Sequence, residues 1–149
     1  MGIFVLLYDK RLSKGWGYMH TKNFTRVELE FMQIIWDQPE ISVPELRARL
    51  ADTGHLLTEG AIRRILAILM EKGHLNRIRN GRQYLYSASM DRPVAEKSMV
   101  GDLLQRGFGD SISDMVASLL DCRTVDKGEL DEIKRIIERH EKDLSLIHI

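Results

Sequence analysis

The sequence predicts a mainly α-helical protein in which three helices and a β-hairpin are followed by three further helices. Two observations predict the first part: Ser/Thr-x-x-Glu capping boxes precede apolar residues at helical spacing, and an Asn-Gly pair separates two alternating segments. The second part is predicted by three amphipathic stretches that follow residue 91 without a turn-rich linker. With 149 residues, 44% of them hydrophobic, the chain can form one ordinary domain, or one small domain with an appendage.

The first two helices are predicted from their N-terminal caps. Thr25 to Glu28 is a capping box, and a helix from there to Trp36 would bury Val27, Phe31, Ile34 and Ile35. Ser42 to Glu45 is a second capping box, and its helix would bury Val43, Leu46 and Leu50.

A third helix and a hairpin complete this unit. Thr58 can cap a helix that ends at Gly73 and has a buried stripe of Ile62, Ile65, Leu66 and Leu69. Asn80-Gly81 favours a type I′ turn, which would pair Arg79 with Arg82, Arg77 with Tyr84, and Leu75 with Tyr86. Three helices and a hairpin within about 65 residues are typical of a winged helix-turn-helix.

The remaining helices are expected at Val94 to Leu104, after a cap at Ser111, and after Asp126. They are short and strongly apolar on one side, so a second copy of the chain is the predicted partner. The alternative is that they pack as a satellite on the first domain. The predicted dimerisation residues are Val100, Leu103, Leu104, Ile112, Met115, Val116, Leu119, Leu120, Ile133, Ile136 and Ile137.

Domain limits follow from this organisation. We expect the winged-helix domain at residues 19–90 and the helical dimerisation domain at residues 91–143. Met19 precedes the first patterned segment, so residues 1–18 are interpreted as a non-native or disordered extension. Residues 144–149 resemble a translated sequencing-library adaptor and are left out of the fold prediction.

Composition excludes several functional classes. Cys122 is the only cysteine, so an intrachain disulfide and a cysteine-rich zinc site are excluded, and we interpret it as a small core residue. The apolar run Ile3 to Leu7 is too short for a membrane span or a secretory signal, which favours a cytoplasmic protein. The five histidines are scattered, and no phosphate-binding glycine loop follows a strand. The sequence therefore predicts no enzyme, no cofactor and no metal site.

Charge is distributed unevenly along the chain. The net charge is zero, but residues 58–87 contain six Lys or Arg against two Glu, a local charge of +4. Residues 91–143 contain nine basic and thirteen acidic residues, a local charge of −4. Such asymmetry indicates that one segment meets a polyanion. The predicted DNA-contacting residues are Thr58, Gly60, Ala61, Arg63, Arg64, Ala67, Arg77, Arg79 and Arg82.

Two other interpretations remain open for this basic segment. The helix face and the hairpin could simply be solvated, since exposed charges contribute little to stability. A winged helix could also dock an acidic protein partner without reading DNA. Salt dependence separates the DNA interpretation from the others, because phosphate neutralisation makes log affinity fall steeply with log salt.

The sequence also resembles the penicillinase-repressor family, which includes the methicillin-resistance and copper-responsive repressors. The resemblance covers Thr25 to about Glu141. It rests on the segments Glu30 to Trp36 (EFMQIIW), Met70 to Leu75 (MEKGHL), Asn80 to Tyr86 (NGRQYLY) and Phe108 to Ser111 (FGDS).

This resemblance implies a dimeric repressor that binds palindromic operators through its winged helix and dimerises through its C-terminal helices. It also implies a membrane-bound sensor metalloprotease that detects an antibiotic, with cleavage of the repressor in its helical C-terminal region. Ala61 and Arg64 stand where the family favours threonine, and Ile68 stands where it favours arginine. The resemblance therefore does not imply a particular operator sequence. The C-terminal cysteine cluster of the copper-responsive relatives has no counterpart in this sequence.

Overall fold

A computed structural model describes residues 24–147 of the chain. The predicted extension at residues 1–18 lies outside this range, as do the last two residues of the predicted adaptor segment 144–149. The described residues form six helices and a three-stranded sheet, which confirms the predicted fold class. In chain order these elements are α1 (Arg26–Trp36), β1 (Ile41–Ser42), α2 (Val43–Asp52), α3 (Glu59–Glu71), β2 (Leu75–Asn80), β3 (Gln83–Ala88), α4 (Arg92–Phe108), α5 (Ile112–Cys122) and α6 (Lys127–Ile147).

Contacts divide the chain into two compact units between Asp102 and Leu103, within α4. The first contains α1 to α3, the sheet and the first part of α4, and the second contains the end of α4 with α5 and α6. None of the helices in residues 24–147 is long and apolar enough to cross a membrane.

Both predicted capping boxes are present. The Thr25 hydroxyl accepts a hydrogen bond from the backbone N–H of Glu28 at 3.2 Å, and the Glu28 carboxylate accepts one from the backbone N–H of Thr25 at 3.0 Å. Ser42 and Glu45 form the same reciprocal pair at the start of α2. These caps satisfy backbone donors that lack partners inside a helix, and so they determine where α1 and α2 begin.

The predicted buried face of α1 was partly wrong. Val27 is 41% exposed, and Ile34 is only partly buried. Glu28, Phe31, Met32 and Ile35 form the buried stripe instead. Glu28 can occupy an apolar face because its carboxylate is hydrogen-bonded both to the Thr25 backbone and to a lysine.

One hydrophobic core joins the elements of the first unit. The predicted α2 stripe is confirmed, and so is the α3 stripe except for Ile65, which is only partly buried. Because α3 buries one side in this core, its rotation about its own axis is determined by the apolar residues. The core residues are Phe31, Met32, Ile35, Ile41, Val43, Leu46, Leu50, Ile62, Leu66, Leu69, Leu75 and Tyr86.

The sheet has the order β1-β3-β2. Strand β1 was not predicted, because it is only two residues long and shows no periodicity. Ile41 of β1 pairs with Tyr86, and Ser42 pairs with Leu85. This pairing attaches the base of the hairpin to the residues that open α2.

The predicted hairpin turn and register were wrong by two residues. The loop consists of Gly81 and Arg82, and Asn80 stays in β2, paired with Gln83. Gly81 has φ of +64°, whereas Arg82 does not have positive φ. Positive φ at the first loop residue alone suits a type II′ turn, which takes glycine there, whereas the predicted type I′ turn needs positive φ at both positions.

The second unit contains the end of α4 together with α5 and α6. Gly109 and Asp110 take positive φ between α4 and α5, and the Ser111 hydroxyl caps α5 by accepting from the Asp114 N–H at 3.3 Å. The Asp126 carboxylate accepts from the Glu129 N–H at 2.9 Å, so the predicted start of α6 is confirmed. The helix continues through Ile147, beyond the predicted boundary at residue 143.

Candidate nucleic-acid interface

Helix α3 is held at its N-terminal end by Thr58. Its hydroxyl accepts a hydrogen bond from the backbone N–H of Ala61 at 3.2 Å. Among residues 59–71, Ile62, Leu66 and Leu69 are fully buried, so the opposite side of α3 is turned to solvent. The capped end also carries the partial positive charge of the helix dipole, which favours a neighbouring phosphate.

The solvent side of α3 carries small residues between long basic ones. Gly60, Arg63, Arg64 and Ala67 are all exposed, whereas Ala61 is half-buried. Arg63 forms an ion pair with Glu59, one turn earlier, at 3.3 Å. Arg64 has no acidic partner within residues 24–147. Such a surface allows a partner to approach the helix backbone while the arginine remains available for a hydrogen bond.

The C-terminal end of α3 is tied to the first turn of α1. The Nζ atom of Lys72 lies 2.9 Å and 2.8 Å from the two carboxylate oxygens of Glu28. Burial raises the pKa of Glu28, but hydrogen bonds from Lys72 and the Thr25 backbone outweigh it and lower the pKa below its ordinary value of 4.5. The glutamate is therefore held in its charged form inside the fold.

A second long-range polar contact supports the loop that precedes α3. His55 Nε2 lies 3.1 Å from Glu30 Oε2, and Glu30 Oε1 lies 3.5 Å from Arg26 Nε. Neither this contact nor the Glu28–Lys72 pair was predicted from the sequence. Only Glu28, at the N3 position of the capping box, gave a local signal, and its partner Lys72 lies 44 residues away.

The hairpin, β2 and β3, follows α3 directly. Gly73 follows the end of α3 and has φ of +80°. Its carbonyl accepts a hydrogen bond from the Ser89 hydroxyl at 2.5 Å. Leu75 and Tyr86 are buried at the base of the hairpin, whereas the other end is exposed. The hairpin therefore extends from the core as a wing whose root is joined to the end of α3.

One face of this wing carries two of its arginines. Arg77 is directly opposite Tyr86, and Arg79 is directly opposite Tyr84, contrary to the predicted pairing of Arg79 with Arg82. The Arg77 guanidinium carbon lies 4.2 Å from the centre of the Tyr84 ring, a cation–π contact between diagonal neighbours. Arg79 Nε donates to the Gly81 carbonyl at 3.2 Å.

The charges of α3 and the wing divide into two groups. Lys72 and Arg63 have acidic partners at 2.8 Å and 3.3 Å. The other four cations of residues 58–87 are exposed and form no ion pair with any described residue. They are Arg64, Arg77, Arg79 and Arg82.

The predicted dimerisation residues are mostly exposed in the single chain. Met115 is 9% exposed, whereas Ile112 is 67% and Leu119 is 54% exposed. Leu104, Leu120 and Ile133 are half-buried. The others also have a large exposed fraction: Val100, Leu103, Val116, Ile136 and Ile137.

Residues 24–147 contain no group of three or more His, Cys, Asp or Glu side chains that could hold a metal ion. Cys122 is exposed, contrary to its interpretation as a core residue. Its thiol donates to the Leu119 carbonyl of the preceding turn at 3.1 Å.

The chain is similar to a known protein family and to solved structures. A family model described as penicillinase repressor matches residues 24–139. A penicillinase repressor from Bacillus licheniformis is 27% identical over 113 residues, which cover 76% of this chain and 88% of the relative. The solution structure of the DNA-binding domain of the repressor BlaI is 30% identical, has a TM-score of 0.43, and covers 47% of this chain and 84% of that domain. Wild-type MarR from E. coli in its apo form is 20% identical, with a TM-score of 0.44, and covers 80% of this chain and 90% of that one.

Proposed function

The chain belongs to the penicillinase repressor family, and from this premise we propose that it is a cytoplasmic, homodimeric repressor that binds a palindromic DNA operator. The family consists of transcriptional repressors and not of enzymes, so the prediction that the chain is not an enzyme is confirmed. Its proposed partner is double-stranded DNA.

The observation that carries this proposal is the set of four arginines without acidic partners on two adjoining elements of one compact unit. Arg64 belongs to α3, and Arg77, Arg79 and Arg82 belong to the wing. Leaving like charges together, exposed and unpaired, is unfavourable for a protein alone and favourable beside a polyanion. The phosphate backbone of duplex DNA supplies regularly spaced negative charge of this kind.

The two elements take different roles in the proposed complex. Helix α3 enters the major groove, where Arg64 reads a base edge and Arg63 contacts a base or a nearby phosphate. The wing arginines contact the backbone of the adjacent groove. Thr58 keeps the amide end of α3 capped, so that the positive end of its dipole can face a phosphate.

Dimerisation is the second part of the proposal. The exposed apolar residues of α5 and α6, among them Leu119 and Ile137, would be removed from water by the same residues of a second copy. A two-fold dimer presents two α3 helices to the two halves of a palindrome. Linking two half-site contacts raises the affinity for the whole operator far above that of one half.

Family membership extends the proposal to release of the operator. A membrane-bound sensor metalloprotease that responds to an antibiotic would cause cleavage in the helical C-terminal region, which would separate the two half-site contacts and lower the affinity. Intact-mass measurement of the chain from cells before and after antibiotic exposure tests this step. Two fragments are expected after exposure, and an intact chain in derepressed cells would contradict it.

The central experiment measures binding of the purified chain to the DNA upstream of its own gene, against a scrambled duplex, over a range of salt concentrations. The three wing arginines in each of two protomers give a slope of log affinity against log salt of roughly −5, from about 0.9 released counterions per phosphate contact. Preference for the upstream DNA together with a steep slope supports the proposal. No binding to either duplex at low salt would overturn it, and retention of an acidic protein instead would favour a protein-docking module.

A further inference from the structure

Ile68 is an exposed isoleucine on α3. The other branched apolar residues of this helix pack in the hydrophobic core. Its side chain is 38% exposed, whereas Ile62, Leu66 and Leu69 of the same helix are fully buried. The core therefore does not account for an apolar residue at position 68. The position of Ile68 on α3 suggests another reason for an apolar side chain there.

Gly60, Arg64 and Ile68 follow one another at intervals of four residues on α3. Residues four apart lie on neighbouring turns of the same side of a helix, here separated by about 6 Å along the axis. The three residues thus span about 12 Å, which corresponds to three or four base pairs at about 3.4 Å each. Ile68 lies one turn beyond the arginine proposed to read a base edge.

Gly60 indicates that a partner approaches this side closely. A Cβ atom built on Gly60 would meet nothing within 4 Å, and its φ does not lie in the left-handed region. The fold itself therefore does not require glycine here, although glycine weakens a helix relative to alanine. Together with Ala67, Gly60 leaves a shallow surface on which the side chains of Arg64 and Ile68 project.

We infer that Ile68 is a specificity-determining residue that recognises the C5-methyl group of a thymine in each operator half-site. Thymine carries the only methyl group in the major groove, and apolar contact is the way in which it is read. A β-branched side chain on a helix has few accessible rotamers, so little freedom is lost when it makes that contact. The inference rests on the proposed function, because it requires α3 to lie in the major groove.

The test begins with selection of binding sites from a random duplex library by the wild-type chain, Ile68→Ala and Ile68→Val. A thymine is expected at one position of the wild-type half-site, and Ile68→Ala should lose that preference while keeping preferences elsewhere. Replacing this thymine by deoxyuracil removes only its methyl group. The wild-type chain should then bind about fourfold more weakly, the equivalent of one buried methyl group, whereas Ile68→Ala should not distinguish the two duplexes.

Ile78→Ala provides a matched control. Ile78 is also an exposed isoleucine, at 53%, but it lies on β2 and not on α3. This variant should keep the wild-type preference at every position and the wild-type response to deoxyuracil.

Two negative outcomes can be told apart. If the wild-type chain selects no sequence and binds no duplex at low salt, the proposed function fails. If it selects a half-site, but deoxyuracil has no effect at any thymine or Ile68→Ala retains every preference, only the role of Ile68 is overturned. Ile68→Val retains a branched apolar side chain and should keep the thymine preference, which separates methyl recognition from a disturbance of the fold.

Discussion

The ammonium of Lys72 lies within 2.9 Å of both carboxylate oxygens of Glu28, so the end of α3 is joined to the first turn of α1. The Glu28 side chain is 7% exposed and that of Lys72 is 21% exposed. Glu28 also accepts the backbone N–H of Thr25, so the same carboxylate completes a helix cap and anchors the proposed reading helix.

Removing the lysine should destabilise the fold strongly. We expect Lys72→Met to lower the free energy of unfolding by about 2–4 kcal/mol, because it leaves a buried carboxylate without its cation. Urea denaturation followed by circular dichroism measures this, and adding Glu28→Gln to the variant should restore part of the loss. Arg135→Ala is the control, since the Arg135–Glu132 pair is mostly exposed and should contribute at most about 0.5 kcal/mol. Equal losses in the two single variants would contradict the assignment.

Acid should remove the contribution of Glu28. Burial raises its pKa, and the Lys72 and Thr25 hydrogen bonds lower it by more, so the pKa in the folded chain lies below 4.5. Because the folded chain binds the proton less readily than the unfolded chain, this stabilisation is complete above about pH 5 and is lost as the pH falls through the folded pKa. The difference in unfolding free energy between the wild type and Glu28→Gln should therefore shrink below pH 4.5. A difference that stays constant or widens on acidification would refute this.

The local parts of this fold were predictable because local sequence determines them. The hydroxyl at Ser42 and the carboxylate at Glu45 are three residues apart, so the capping box and the start of α2 can be read directly. The stripes of α2 and α3 follow from helical periodicity. Glu28, in contrast, looks like a solvent-facing residue until its distant partner Lys72 is known.

The hairpin shows a different limit of prediction from sequence, which concerns the strand register. Both Asn80-Gly81 and Gly81-Arg82 can form a two-residue loop, and the choice between them shifts every pairing by two residues. A shift of two keeps each side chain on its original face, so Arg77, Arg79 and Tyr84 were assigned to the correct face with the wrong partners. The face of the wing that carries these arginines could therefore be predicted, whereas the observed register was needed to place Arg77 and Tyr84 as diagonal neighbours in a cation–π contact.

Gly60→Ala should separate stability from binding. We expect it to stabilise the chain by about 0.5–1 kcal/mol, because alanine favours the helix and a Cβ atom has space there. The same variant should weaken operator binding, because the added methyl group keeps α3 away from the base edges. Gly101→Ala is the matched control, since Gly101 is also a helical glycine with free space, and it should leave operator affinity unchanged. Thermal denaturation and equilibrium binding measure the two effects, and unaltered binding by Gly60→Ala would contradict close approach at this position.

Two arginines should respond differently to truncation. Arg82→Ala, at the tip of the wing, should weaken binding to operator and random duplexes alike and make the salt slope less steep by about 1 for each protomer's lost phosphate contact. Arg64→Ala should cost about 1–3 kcal/mol on the operator and much less on random DNA, because base contacts carry the sequence preference. Titrations of both duplexes at several salt concentrations distinguish these patterns. An equal loss on both duplexes from Arg64→Ala would reject its reading role.

The exposed residues of the C-terminal helices should prove to be the dimer contact. Leu119 is 54% exposed on α5, and we expect Leu119→Arg to give a monomer of unchanged helicity, because a buried unpaired charge would face its own copy across the two-fold axis. Val27→Arg introduces the same charge at another exposed apolar position, on α1, and should remain a dimer. Sedimentation equilibrium measures the mass of each variant.

On a duplex with two half-sites the monomer should bind roughly 10²-fold or more weakly than the wild type, since the second contact is no longer linked to the first. On a duplex with a single half-site the two proteins should bind similarly. A wild-type chain that is monomeric at the concentrations at which it binds DNA, or a Leu119→Arg variant that stays dimeric, would show that these residues do not join the two copies.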